Sequence, residues 1–163
     1  MNHPGAPAPK GRFSRIVLEG GSLHRLSALQ EADREQAVAD LETENEFAAI
    51  AHPNVQSILH LSIQEGRLVF DIRDAEDRPL VAVVLALGPF KMLMKDYQML
   101  LDSYAGAISE GREAKIQAID MGRRGLHNEG ATLMQDRLAG KVMIDFPTAR
   151  RLFTLVCALH QHL

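Results

Sequence analysis

Tryptophan is absent from this 163-residue chain, and only two Tyr and six Phe are present. Aromatics this sparse, set mostly on apolar stripes, offer no stacking platform for single-stranded nucleic acid. Cysteine occurs once, at Cys157, so no intramolecular disulfide can form and a reducing compartment is the natural expectation. No stretch approaches the roughly 20 apolar residues that a membrane helix requires. The opening "MNHPGAPAPKGR" lacks the apolar segment of a secretory signal. These absences lead us to expect a cytoplasmic protein with no membrane partner.

Signature motifs are missing as well. Gly20-Gly21 is followed by no Gly-Lys-Ser/Thr pattern, and neither is Gly88-Pro89, so no phosphate loop is expected. There is no Gly-x-Ser-x-Gly elbow either. The reading includes no cofactor and no metal. The formal net charge of −3 argues against a whole-surface nucleic-acid binder. Charge is uneven along the chain, however. Residues 19 to 77 hold thirteen acidic against four basic side chains, whereas residues 112 to 151 hold eight basic against five acidic. Two solvated faces explain this most simply; a surface for an anion or an acidic partner is the alternative.

What is present has clear periods. Residues 1 to 12 are rich in Pro, Gly and Ala and read as a disordered tail, and residues 13 to 163 read as a single domain. "FSRIVLE" predicts a strand, and a helix is expected from Glu31 to Phe47 with Ala37, Leu41 and Phe47 inward and acids on the exposed side. Leu59, Leu61 and Ile63 alternate with polar residues, Glu65-Gly66 turns the chain, and Leu68, Phe70 and Ile72 alternate again, which predicts a hairpin with one wet face. His60 falls on that wet face and is expected to be exposed. "PLVAVVLAL" is apolar nearly throughout and predicts a central strand buried on both faces, stopped by Gly88-Pro89.

The period then turns helical. Phe90, Leu93, Tyr97, Leu100, Tyr104 and Ile108 predict one stripe, ended by Gly111. Ile116, Ile119, Leu126, Leu133 and Leu138 predict a second helix ended by Gly140. Asp145 is the expected N-cap of a last helix that buries Leu152, Phe153, Val156 and Leu159. The order is β-α-β-β-β-α-α-α. It predicts an α+β domain in which C-terminal helices cover one face of a small antiparallel sheet.

Candidate chemistry is concentrated in "RRGLHNEGA". Gly122, Gly125 and Gly130 each cost roughly 0.8–1.0 kcal/mol relative to Ala inside a helix. They suggest either a break near residues 125 to 129 or very close approach of another part of the chain. With a break, Asn128 would cap a new helix whose free N–H groups favour an anion. Arg123, Arg124, Arg150 and Arg151 could then hold a phosphate or carboxylate through their planar forks, with His127 and Glu129 as candidate catalytic residues handling protons. The simpler reading is a helix joint or interface in which these side chains pair with Asp120, Glu129, Asp136 and Asp145. Cys157, His160 and His162 invite a metal reading, but His162 points away from the other two on a helix. Cys157 also lacks an assignable partner as a nucleophile and reads as a core thiol.

The run "RRGLHNEGA", continued by "RLAGK" and "TARRLFTLVCALH", together with "LHLSIQEGRLVFDI" and "LGPFKMLMKDY", resembles the uncharacterised protein family UPF0262. Its members are small alphaproteobacterial proteins of unknown function. The resemblance spans about residues 13 to 160 and implies a cytosolic bacterial protein, and it brings no activity with it. Two functions from different classes therefore stand. The favoured one is a small cytosolic regulatory or adaptor domain that binds a protein partner or a second copy of itself. The other is an enzyme or sensor that binds a phosphorylated or carboxylate small molecule through the Arg/His cluster.

Overall fold

The computed structural model describes residues 11–20 and 26–160. The expected tail up to Lys10, Gly21 and His162 lie outside them. Strand β1 (Arg12–Glu19) is followed by helix α1 (Ala28–Thr43), short strand β2 (Phe47–Ala49), β3 (Gln56–Gln64), β4 (Arg67–Arg73) and β5 (Pro79–Ala86). Helices α2 (Gly88–Glu110) and α3 (Glu113–Leu138), short strand β6 (Val142–Ile144) and helix α4 (Phe146–Leu159) complete the chain. The α+β order expected from the sequence is present, with β2 and β6 added as a two-stranded antiparallel ribbon.

The main sheet runs β1-β3-β4-β5. The hairpin β3–β4 turns at Glu65 and Gly66, both at positive φ, and β5 continues antiparallel, while β1 joins β3 in parallel. A parallel pair needs a crossover, and α1 lies within it. Register places Ile16, Leu59, Ile72 and Val81 in one row and Leu18, Leu61, Phe70 and Val83 in the next, all on the same face. That face joins Phe90, Met94, Tyr97 and Leu101 of α2 and the apolar side chains of α4 in one core.

Strand β5 is an edge strand, not the expected central one. Its outward Ala82, Val84 and Ala86 are exposed, so its apolar run reflects small β-formers on a wet face. Burial on both faces is instead found in α4, where Leu152 through Leu159 are buried at every position. Periodicity read only part of this as a stripe, because a helix that is apolar all round is an interior helix.

Helix ends follow their local chemistry. Ser27 caps α1 by accepting from the Gln30 N–H at 3.2 Å, which starts the helix three residues before Glu31. Asn45 closes it. Its Nδ2 donates to the carbonyls of Leu41 (2.7 Å) and Phe13 (2.8 Å), and its Oδ1 accepts from the Phe13 N–H at 3.0 Å. Phe47 therefore lies beyond the helix, in β2, though buried as expected. Gly88 and Pro89 stop β5 and also open α2, with Pro at the start where its missing N–H costs nothing. The buried stripe of α2 is Phe90, Met94, Tyr97, Leu101 and Ala107, which leaves Ile108 exposed. Asp145 caps α4 as expected, accepting from the Thr148 N–H at 3.0 Å.

Candidate functional site

Helix α3 runs unbroken through all three glycines. The expected break near residues 125 to 129, and with it an N-cap at Asn128, is not there. Packing supplies the reason. A Cβ at Gly130 would lie 2.3 Å from the Phe153 ring, so that glycine lets α4 approach, whereas one at Gly122 would meet the Leu100 side chain at an ordinary contact of 3.5 Å and one at Gly125 would meet nothing within 4 Å. Tertiary contacts outweigh the weak helix propensity. Any anion site here must be made by side chains, since the N–H groups after Asn128 are spent within the helix.

Those side chains do converge. Asp33, Gln36, Ala37 and Asp40 of α1, Arg123, Arg124 and His127 of α3, and Arg150, Arg151 and Thr154 of α4 line a cleft of about 260 Å³. On each helix the spacing is three or four residues, which turns these positions toward one another. All four candidate arginines and His127 share this one concavity. Asn128 and Glu129 line a separate hollow with Thr132, Leu133 and Asp136. Glu129 is thus not placed to hold the imidazole, and Asn128 reaches the cleft only by accepting from Arg150 Nε at 3.2 Å.

The acidic side chains of the cleft come from α1. Asp33 Oδ2 accepts from Arg123 Nη1 at 2.8 Å and from the Tyr97 hydroxyl at 2.7 Å. Arg123 also lies 3.8 Å from Asp120, and Arg151 lies 3.8 Å from Asp40. Among the described residues, Arg124 and Arg150 meet no carboxylate. Burial, with Arg151, Arg123 and Arg124 nearby, draws the Arg150 pKa below its ordinary value. For Arg123, burial acts in the same direction, but Asp33, Tyr97 and Asp120 outweigh it and its pKa rises. Burial chiefly, with Asp33 beside it, raises the Tyr97 hydroxyl.

His127 is 8% exposed, and its Nε2 is buried without a hydrogen-bond partner. Its ring sits 5.1 Å from the Tyr97 ring and 6.3 Å from that of Phe153. Burial first, then the charges of Arg150 and Arg123, push its pKa down to about 4, against a smaller opposite pull from Asp33. The imidazole is therefore neutral at pH 7 and can donate one hydrogen bond.

Sequence reasoning missed the contribution of α1, taking its acids for a solvated face. A signal was available: Asp33 and Asp40 flank Ala37 at helical spacing, and Ala37 is an inward position.

Elsewhere, His60 is buried rather than exposed. Its Nδ1 lies 3.0 Å from Glu19 Oε1 and its Nε2 2.8 Å from Asp77 Oδ1. Hydrogen bonding from His60, with help from Arg73, holds the Asp77 carboxyl below its usual range. Cys157 is buried in the core and burial raises its thiol pKa, which fits packing rather than nucleophilic use. Among the described residues, no group of three or more His, Cys, Asp or Glu is placed to hold a metal, and no helix is long and apolar enough to cross a membrane.

The chain is 62% identical over 157 residues to a UPF0262 protein of Acidiphilium cryptum, covering 96% of this chain and 97% of that one. It is 60% identical to a UPF0262 protein of Granulibacter bethesdensis, covering 96% and 93%, and 53% identical to one of Rhodospirillum rubrum, covering 80% and 81%. No solved structure matches it. Residues 10–162 match the model of the Uncharacterised protein family (UPF0262), and the chain belongs to that family.

Proposed function

We propose that this protein is a small-anion sensor, a binding domain that takes a phosphorylated or carboxylate small molecule into the cleft between α1, α3 and α4. One observation carries the reading: Arg124 and Arg150 face a shared concavity with no carboxylate partner among the described residues. Arg150 is half-buried and Arg124 exposed beside it, and an anion bound between the two would give both a charged hydrogen-bond acceptor. Binding rather than turnover is favoured because the His127 Nε2 is buried, Glu129 is turned elsewhere and Cys157 is in the core.

Thermal unfolding at low salt against phosphate, nucleotides and carboxylate metabolites tests the reading. A ligand at 100 times its Kd adds about 2.7 kcal/mol of stability. At roughly 2–4 °C per kcal/mol, the Tm should rise by several degrees. A shift lost in Arg150→Ala supports the reading, and a flat panel removes it.

The regulatory or adaptor reading has its own support in the free edge of β5, where outward Val84 is 45% exposed. An edge strand can pair with another chain. A partner retained on the immobilised protein and still retained by Arg150→Ala would favour that surface over the cleft.

A further inference from the structure

Resting on the reading that the cleft binds an anion, we propose that its ligand is a dianion, a small phosphate monoester seated between Arg124 and Arg150. The charge balance is the first argument. Four arginines meet two aspartates in the cleft wall. Arg123 is held by Asp33, with Asp120 3.8 Å away outside the cleft wall, and Arg151 lies 3.8 Å from Asp40, so among the described residues Arg124 and Arg150 are the two arginines of the cleft without a carboxylate. A monocarboxylate matches the charge of one of these two guanidinium groups, whereas a phosphate monoester, at about −1.5 to −2 near pH 7, matches both.

The donors form the second argument. Arg150 gives its Nε to a neutral acceptor, the Asn128 amide oxygen, and among the described residues neither of its Nη atoms donates to a partner. That leaves a guanidinium fork anchored at one corner and open at the other, a geometry suited to paired phosphate oxygens. His127 lines the wall, with its ring packed against Tyr97 and Phe153 and its Nε2 buried.

Size and lining set the rest. At about 260 Å³ the cleft falls below the roughly 300–1,000 Å³ of sites for drug-sized ligands. Ala37 is the one aliphatic residue among the described residues of its wall, so little there would hold an acyl chain. A short, polar body on the phosphate fits these limits.

The test is titration of the full chain at pH 7.5 and constant ionic strength, followed by thermal unfolding and calorimetry. The probes are inorganic phosphate, sulfate, glycerol 3-phosphate, acetate, succinate and a phosphoserine peptide. Phosphate, sulfate and glycerol 3-phosphate are expected to bind saturably, and acetate is not. Arg124→Ala and Arg150→Ala should each weaken binding about tenfold or more, since each removes hydrogen bonds to a charged group. Arg150→Lys should fall between, keeping the charge and losing the fork. Lys115→Ala, on the exposed side of α3, should bind as the parent does.

Acetate binding as well as phosphate would overturn the dianion assignment while leaving the anion cleft standing. Succinate binding without phosphate would reassign the class to dicarboxylates. A phosphopeptide bound where glycerol 3-phosphate is not would make the partner a protein. Phosphate binding undiminished in both alanine variants would place the site elsewhere. If no anion binds, the proposal and the reading beneath it fall together.

Discussion

Gly130 of α3 lies against the ring of Phe153 of α4, so close that a Cβ at Gly130 would sit 2.3 Å from Phe153 Cγ. Local propensity favours Ala there by about 0.8–1.0 kcal/mol. Overpacking costs about 1–3 kcal/mol, and the ring is fully buried and cannot swing aside. Gly130→Ala should therefore destabilise the protein in urea unfolding. Gly125→Ala, with open space around it, should stabilise by up to about 1 kcal/mol. Equal effects at the two sites would contradict this account of why α3 tolerates its glycines.

Stability should respond to pH through His127. Its folded pKa of about 4 lies below the ordinary 6.5. Between those values the unfolded chain binds a proton that the folded ring refuses, so the His127 contribution is lost as pH falls from 6.5 toward 4 and levels off below. The loss is on the order of 3 kcal/mol at full extent. Urea titrations of the parent and His127→Gln from pH 7.5 to 4 should diverge in slope only below about pH 6.5. Parallel curves would mean that the imidazole is not held neutral.

Asp33 should couple α1 to both α2 and α3. Asp33→Ala strips the acceptor from the Tyr97 hydroxyl and from Arg123 together, and should cost about 2–4 kcal/mol. Tyr97→Phe alone should cost about 1 kcal/mol. The double variant should cost clearly less than the sum, because both changes remove the same bond. Additive costs in that cycle would separate the two residues.

Asn45 should matter more than its place in a loop suggests. It satisfies both backbone groups of Phe13 and the last-turn carbonyl of Leu41, and is 7% exposed. Asn45→Ala leaves these buried groups unpaired, at a cost of about 2–4 kcal/mol in chemical denaturation. A change within about 0.5 kcal/mol would show that water replaces the amide.

The Arg/His cluster was legible in the sequence as a set of residue types, and its arginines and His127 do share one cleft. Its mechanism was not. Three glycines in nine positions read as a broken helix because propensity is all that a single segment reveals, and the Phe153 ring that makes Gly130 necessary lies 23 residues further along. Asn128 and Glu129 entered the expected site through that supposed break; with the helix continuous Glu129 leaves it, and Asn128 keeps only its contact with Arg150. Asp33 and Asp40 were invisible as partners because they lie about 90 to 110 residues away from the arginines they meet.

By itself, the sequence determined the order of the main strands and helices, the hairpin at Glu65-Gly66, the cap at Asp145 and the alternating core positions of β3 and β4, because these follow from periods of two and 3.6 and from turn chemistry within a few residues. Only the tertiary structure decided that β5 is an edge, that α4 is buried from Leu152 to Leu159, that His60 lies between two carboxylates and that, among the described residues, two of the four arginines meet no carboxylate. Each of these depends on which distant segment packs alongside, and charge compensation and burial are properties of that neighbourhood rather than of the segment.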